Sequence, residues 1–290
     1  MNEVIPLQRL AGSFSTAVLR AVARGVVDPS AIPRLSGLQA LSLSPGATVG
    51  DAFGAAFDLL AKGYRNEYVF KNLLVSKVVF GRHSPRTATA LLEQPMGASE
   101  ADVLVLNGTS TVYEIKTDYD GLGRLERQLD DYSRYSEFVN VLASDRRVSA
   151  IEKRAPRHVG VLALGRSGRL SVVREPRSTL DRLDSATLFE LLRTSEALAC
   201  ASMCLGYEVD VPRGHLRARL REVFGRLDVV QTHRLVVDAL RTRGSSAREL
   251  VQAPGFPTSL RALAYGTQIS QVGTRRVLDF LSLPTGIMAG

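Results

Sequence analysis

Residues 101–117 read ADVLVLNGTSTVYEIKT. Two strand-like runs, 101–106 and 111–117, flank Asn107-Gly108, and Asn-Gly between such runs is a strong hairpin signal. The loop length decides which side chains share a face. A two-residue loop pairs 106 with 109 and sets Asp102 beside Tyr113. A three-residue loop, Asn107-Gly108-Thr109, pairs 106 with 110 and brings Asp102 opposite Glu114. Strand side chains alternate, so Glu114 and Lys116 lie on one face and Ile115 on the other. A functional role for both carboxylates together therefore requires the longer loop or an equivalent bulge.

Outward from the hairpin, the pattern is mixed. Helices are expected over 13–26, 51–62 and 64–79, with a Pro-, Ser- and Gly-rich linker over 28–50. Ala88–Gln94 is a candidate strand ahead of the hairpin. After it come a helix over 122–136, a strand over 138–143, a short helix over 148–154 and the apolar strand 158–164. Residues 169–174 are expected to pair with 158–164 across the Gly165–Gly168 turn. From 185 onward the chain reads as helical, over 185–205, 214–227, 229–243, 258–265 and 274–281. The expected fold is α/β, a mixed central sheet flanked by helices. It divides into an N-terminal helical region and linker (1–61), a core (62–178) and a basic helical C-terminal region (179–290).

The 290 residues are 45% hydrophobic and 23% charged, with two Cys, which excludes wholesale disorder and a disulfide scaffold. The longest uncharged run, Leu35 to Gly50, is sixteen residues and interrupted by polar residues, short of the about 20 that span a bilayer. Glu3, Arg20 and Arg24 break any secretory pattern, so a cytoplasmic protein without a membrane partner is expected. Residues 1–150 carry 16 basic and 16 acidic side chains, and residues 151–290 carry 21 and 13, so the whole excess of +8 lies in the second half. A basic region favours polyanion partners. Arg213, Arg217 and Arg221 stand on one side of a candidate helix whose opposite stripe is Leu216, Leu220, Val223 and Leu227. The row reads either as a rail for phosphates or as an ordinary solvated face.

Asp102, Glu114 and the backbone carbonyl of Ile115 are hard oxygen donors of the kind Mg²⁺ or Mn²⁺ takes. Beside such an ion, Lys116 would position or help deprotonate a water and offset transition-state charge. On the following helix Arg124, Gln128, Tyr132 and Tyr135 are spaced four, four and three apart, one polar and aromatic face. Glu67, on the helix before the sheet, either joins the metal site or pairs with Lys71 at i, i+4. Asp120 reads as the N-cap of the 122–136 helix. Cys200 and Cys204 read as ordinary helix cysteines rather than zinc ligands, since no usual zinc spacing includes them. Walker A, Gly-x-Ser-x-Gly and Gly-x-Gly-x-x-Gly motifs are absent, which removes sequence support for NTPase, esterase and Rossmann readings.

Glu67, Asp102, Glu114-Ile115-Lys116 and Gln128-x-x-x-Tyr132 together resemble the ordered motifs of the PD-(D/E)XK nuclease superfamily, in its RecB-like branch with a Gln-x-x-x-Tyr motif. The resemblance covers about residues 62–165. It implies a restriction-endonuclease-like core and a Mg²⁺- or Mn²⁺-dependent nuclease that hydrolyses phosphodiester bonds, in DNA by expectation, in a setting such as defence or repair. Glu67, Asp102 and Glu114 would be the acids of the metal site, Lys116 the catalytic lysine, and Gln128 and Tyr132 would order the site. Arg124, Arg213, Arg217 and Arg221 would hold the nucleic acid. The terminal regions are left to dimerise or bind a protein partner. The other reading is a non-catalytic module that binds nucleic acid through the basic C-terminal helices.

Overall fold

The computed structural model describes residues 6–26, 28 and 31–286. Its central hairpin lies in a six-stranded sheet whose strands run in sequence order: β1 (Thr89–Met96), β2 (Ser99–Leu106), β3 (Ser110–Lys116), β4 (Phe138–Ser144), β5 (Gly160–Leu164) and β6 (Leu170–Arg174). The β1–β2 and β2–β3 pairs are antiparallel and β3–β4 is parallel, so the sheet is mixed. Leu106 pairs with Ser110 and Val103 with Tyr113, which is the register of the three-residue loop. Gly108 makes that loop possible with a φ of +72°, and the Asn107 N–H closes it on the Thr109 carbonyl at 3.0 Å.

Helices α1 (Leu7–Ser13), α2 (Thr16–Ala23), α3 (Ser36–Gln39), α4 (Val49–Gly63) and α5 (Glu67–Lys77) precede the sheet. Between strands come α6 (Leu125–Tyr132) and α7 (Val148–Glu152). After β6 follow α8 (Ser185–Phe189), α9 (Thr194–Leu205), α10 (Leu216–Gly225), α11 (Val229–Arg243), α12 (Ser245–Gln252), α13 (Arg261–Tyr265) and α14 (Gln271–Ser282). The fold is thus α/β with added helices. The expected helix over 13–26 is split, because Ser15 leaves helical geometry and its side chain caps α2. Within the supposed linker over 28–50, Pro33–Leu35 and α3 form helical turns that bury Leu35 and Leu38. Gly37 sits so near the Arg9 carbonyl that a Cβ there would come within 2.9 Å of it.

Two compact units form. One comprises Met1–Arg86, Leu164–Leu170 and Gly244–Gly290; the other comprises Thr87–Ala163 and Ser171–Arg243. These boundaries differ from the three consecutive regions expected from the sequence, and the cores explain the difference. Leu188, Phe189, Leu220, Phe224, Val236 and Leu240, from α8, α10 and α11, belong to the same buried cluster as Leu104, Leu106, Val139 and Val141 of the sheet. Helices read as a separate basic region are therefore part of the sheet's own core. In the other unit Phe14 stacks on Tyr68 with ring centres 4.7 Å apart and meets Phe53 edge-on at 5.5 Å. There the buried Asn72 donates to the Thr258 carbonyl at 3.0 Å and accepts from the Ala262 N–H at 3.0 Å, tying α5 to the start of α13.

Candidate active site

The residues of the site lie in the sheet-bearing unit, between the β2–β3 hairpin and α6. Extending the hairpin register by one pair sets Asp102 opposite Glu114. The parallel β3–β4 pairing sets Glu114 beside Val141 and Lys116 beside Ala143. With Val141 and Ala143 as neighbours, and Leu129 of α6 in the same core cluster, the two charges of β3 sit in apolar surroundings.

Glu114 is 2% exposed and Lys116 8%. Their charges meet at 2.5 Å, Lys116 Nζ to Glu114 Oε1. The ammonium also donates to Gln128 Oε1 at 3.2 Å. The other carboxylate oxygen of Glu114 lies 2.7 Å from the Tyr132 hydroxyl, which is also 2.7 Å from the Glu100 carbonyl. A phenol has one proton, so that proton faces two acceptors. Burial, then the Glu114 carboxylate, pushes the Tyr132 hydroxyl far above its ordinary range, so Tyr132 acts as a donor and not as a base. Asp102 is half-buried, and its Oδ2 accepts from the Ile115 N–H at 2.7 Å. This bond links the two strands of the hairpin at the site. The backbone beside it is strained. Glu93 lies between the pairs Leu92–Val103 and Gln94–Ala101, opposite Asp102, and has a φ of +53°, the left-handed region, on a non-glycine residue.

Gln128 and Tyr132 reach the strands because they are one turn apart on α6, whose Leu125 and Leu129 are buried. The helix starts at Leu125, three residues later than expected, and Arg124 stands at its N-cap without a side-chain cap. Asp120 does not cap it. Its carboxylate instead accepts from the Thr117 N–H and the Thr117 hydroxyl, each at 2.7 Å, and so shapes the turn that leaves β3. The same turn is braced by Ser144 donating to Asp118 and by Arg147 donating to the Asp120 carbonyl.

Asp102, Glu114, Lys116, Gln128 and Tyr132 are therefore joined through one set of strands, one helix and their hydrogen bonds. Glu67 belongs to the other unit, and its carboxylate pairs with the buried Lys71 at 2.5 Å, the alternative its i, i+4 spacing offered. The Ile115 backbone contributes through its N–H to Asp102. Sequence reasoning missed two contributors, the Glu100 carbonyl and the Ile115 N–H; neither carries a side-chain signal, and only the register exposes them.

The four arginines differ in surroundings. Arg124 and Arg213 are exposed. Arg217 pairs with Glu190 at 2.8 Å, donates to the Leu192 carbonyl at 2.9 Å and lies over the Phe189 ring at 4.8 Å. Arg221 reaches Glu190 at 3.4 Å. The middle of the supposed phosphate rail is thus occupied by carboxylate contacts, and Arg217 packs as part of the fold. Cys200 is buried and Cys204 exposed, both as free thiols.

Among the described residues no group of three or more His, Cys, Asp or Glu side chains is placed to hold a metal ion. The hard oxygens of Asp102 and Glu114 are two carboxylates. That number suits Mg²⁺, which keeps several waters and is commonly held by one or two carboxylates together with substrate phosphates, and does not suit a closed all-protein cage. Among the described residues no helix is long and apolar enough to cross a membrane.

The family described as "Bacteriophage P4 protein cII" matches residues 61–261 of this chain. Protein cII of Enterobacteria phage P4 is 30% identical over 99 residues, which are 33% of this chain and 37% of that protein. The aligned stretch thus spans little more than a third of the relative's length. No solved structure matches this chain.

Proposed function

The chain belongs to the bacteriophage P4 protein cII family, and we propose that in this member the cluster around Lys116 makes the protein a divalent-cation-dependent nuclease of PD-(D/E)XK type. One observation carries the reading. Glu114 and Lys116, both buried, sit on adjacent same-face positions of β3, and Gln128 and Tyr132 bond them from α6. A buried ion pair adds little net stability over an apolar pair of the same size, so a cluster of this kind is a candidate for chemistry. The sheet order with its parallel β3–β4 pair, and α6 between those strands, supports a restriction-endonuclease-like core.

Asp102 and Glu114 would hold Mg²⁺ or Mn²⁺. When bound, such an ion supplies Lewis-acid stabilisation of charge growing on a phosphoryl oxygen. The chain's own groups do the rest. The Ile115 N–H fixes one oxygen of Asp102. Tyr132 fixes Glu114 from the helix side. Lys116 has three protons, of which two are directed to Glu114 and Gln128; the third is available to orient the attacking water and to offset charge on the phosphate. The apolar walls at Val141, Ala143 and Leu129 keep these interactions strong. DNA is the substrate proposed, as the resemblance of the motifs implies, and the exposed Arg124 at the start of α6 would contribute phosphate contact.

The test is cleavage of plasmid and single-stranded DNA with Mg²⁺, comparing the wild type with Lys116→Met and Asp102→Asn. The expected loss in each variant is on the order of a hundredfold or more. Equal activity in all three overturns the proposal. Salt-sensitive binding of DNA without cleavage under any divalent ion would favour a non-catalytic binding module instead.

A further inference from the structure

Helix α13 packs against α12 and α5, and all three belong to the same unit. Its first and last residues, Arg261 and Tyr265, are four apart and so share one side of the helix. Tyr265 is 5% exposed, and among the described residues its hydroxyl has no hydrogen-bond partner. Burial pushes that hydroxyl up to about 12, while the charges of Arg248, on α12, and of Arg261 act in the opposite direction. Tyr265 is therefore a proton donor within electrostatic reach of two guanidinium groups. Arg248 is half-buried, and its buried Nε likewise lacks a hydrogen-bond partner among the described residues. Arg261 is half-buried as well, its guanidinium carbon 3.9 Å from the centre of the Phe80 ring, and burial holds its pKa below the usual arginine range. Phe80 stands on the π-helical turn Val78–Arg82 that follows α5, and such turns recur at functional sites. Among the described residues neither arginine has a carboxylate partner. Glu249 is exposed and, as an i, i+1 neighbour on α12, does not face Arg248. Two charges held partly out of water without a counter-charge, beside a buried donor without an acceptor, carry a free-energy cost that one anion would offset.

We propose that Arg248, Arg261 and Tyr265 form a binding site for a phosphate dianion, either free phosphate or the terminal phosphate of a larger molecule. Two guanidinium charges match a group that carries nearly two negative charges, as a phosphate monoester does and an internal phosphodiester or a carboxylate does not. The buried hydroxyl is met only by a small group that enters, which an end group can do and the middle of a chain, continuing on both sides, cannot. The three residues lie in the unit that does not contain Lys116, and the proposal does not rest on the nuclease reading.

Isothermal titration calorimetry of the full chain, in phosphate-free buffer with chloride fixing the ionic strength, tests this. The probes are inorganic phosphate, thymidine 5′-monophosphate, and a short oligothymidylate with and without a 5′-phosphate. Saturable binding of a phosphate-bearing probe, one per chain, is expected. Arg248→Gln should abolish it, and Tyr265→Phe should weaken it about tenfold. Without phosphate, Tyr265→Phe should unfold at a thermal midpoint no lower than the wild type's, because it removes only a hydroxyl that has no partner. A tyrosine whose hydroxyl is merely structural would show the reverse, a lowered midpoint with binding unchanged, and that result overturns the proposal. Equal binding of inorganic phosphate and the monophosphate assigns the site to free phosphate, and preference for the 5′-phosphorylated oligonucleotide assigns it to a nucleic-acid end; both uphold the proposal. It is overturned if no phosphate-bearing probe binds saturably, if binding is undiminished in Arg248→Gln, or if the oligonucleotide binds equally with and without its 5′-phosphate.

Discussion

Replacing the Glu114–Lys116 pair separates its share of stability from its proposed role in chemistry. The two side chains are 3% and 10% exposed and their charges are 2.5 Å apart. Lys116→Met leaves the Glu114 carboxylate in place with the Tyr132 hydroxyl as its remaining donor. Breaking a buried pair in this way costs about 3–5 kcal/mol, chiefly because an uncompensated charge stays buried. Glu114→Gln together with Lys116→Met removes both charges, keeps the volumes nearly constant and leaves an amide to bond Tyr132. Such replacements are neutral or stabilising by about 1–4 kcal/mol. The double variant should therefore be at least about 3 kcal/mol more stable than Lys116→Met alone, although under the proposed function neither should cleave DNA. Urea unfolding followed by circular dichroism reads the midpoints, and unchanged slopes show that the unfolded ensembles are comparable. If Lys116→Met costs less than about 1 kcal/mol, or if the double variant costs the sum of the two single ones, the pair is not the coupled buried unit described above.

A methyl group at Gly160 would lie 2.1 Å from Asn140 Oδ1 and 2.9 Å from Pro176, in the middle of the sheet-bearing unit. Gly160→Ala should consequently lower stability by about 1–3 kcal/mol, measured as a shift in the urea midpoint. His233 is buried with its Nε2 2.8 Å from the Ser110 hydroxyl, which also accepts from the Glu137 N–H. Burial holds the His233 pKa below 6.5, with the Glu137 carboxylate opposing part of that shift. The unfolded chain binds the proton more readily, so stability is full above about pH 6.5 and falls as pH drops through the depressed folded value. His83 and His158 shift the same way, so the difference between wild type and His233→Gln across about pH 5–7 isolates this residue; parallel curves would contradict it. At the start of α4, Thr48 and Asp51 form a reciprocal capping box, with the Thr48 N–H donating to Asp51 at 2.8 Å. Thr48→Ala should cost about 1 kcal/mol in thermal or chemical unfolding.

The hairpin is legible because its signals are local. The Asn107-Gly108 turn, the period-two pattern and the demand that Asp102 face Glu114 agree on one loop length, and Leu106 opposite Ser110 is the result. Gln128 and Tyr132 are legible for the same reason, since their four-residue spacing on a short helix sets both toward the sheet. What escapes depends on partners distant in sequence. Glu190 lies 27 positions before Arg217, and nothing in the Arg213–Arg221 row reveals that a carboxylate occupies it. Asp120 has the residue type of a helix cap, but Thr117 competes for it successfully because its N–H and hydroxyl are both within reach. The unit boundaries escape because the helices after β6 complete the core of a sheet that ends before them, a relation visible only once Phe189 and Phe224 are seen packed 5.4 Å apart in the cluster that holds Leu104. Helix α12 has only Ala247, Leu250 and Val251 as a buried stripe and no capping side chain, too little periodicity to announce itself.

Titration with Mn²⁺, followed by the electron paramagnetic resonance of the free ion, tests the site most directly. Wild-type protein should take up one ion, and both Asp102→Asn and Glu114→Gln should lose it while remaining folded by circular dichroism. Undiminished uptake by the two variants would contradict a metal-dependent hydrolytic centre between β2 and β3.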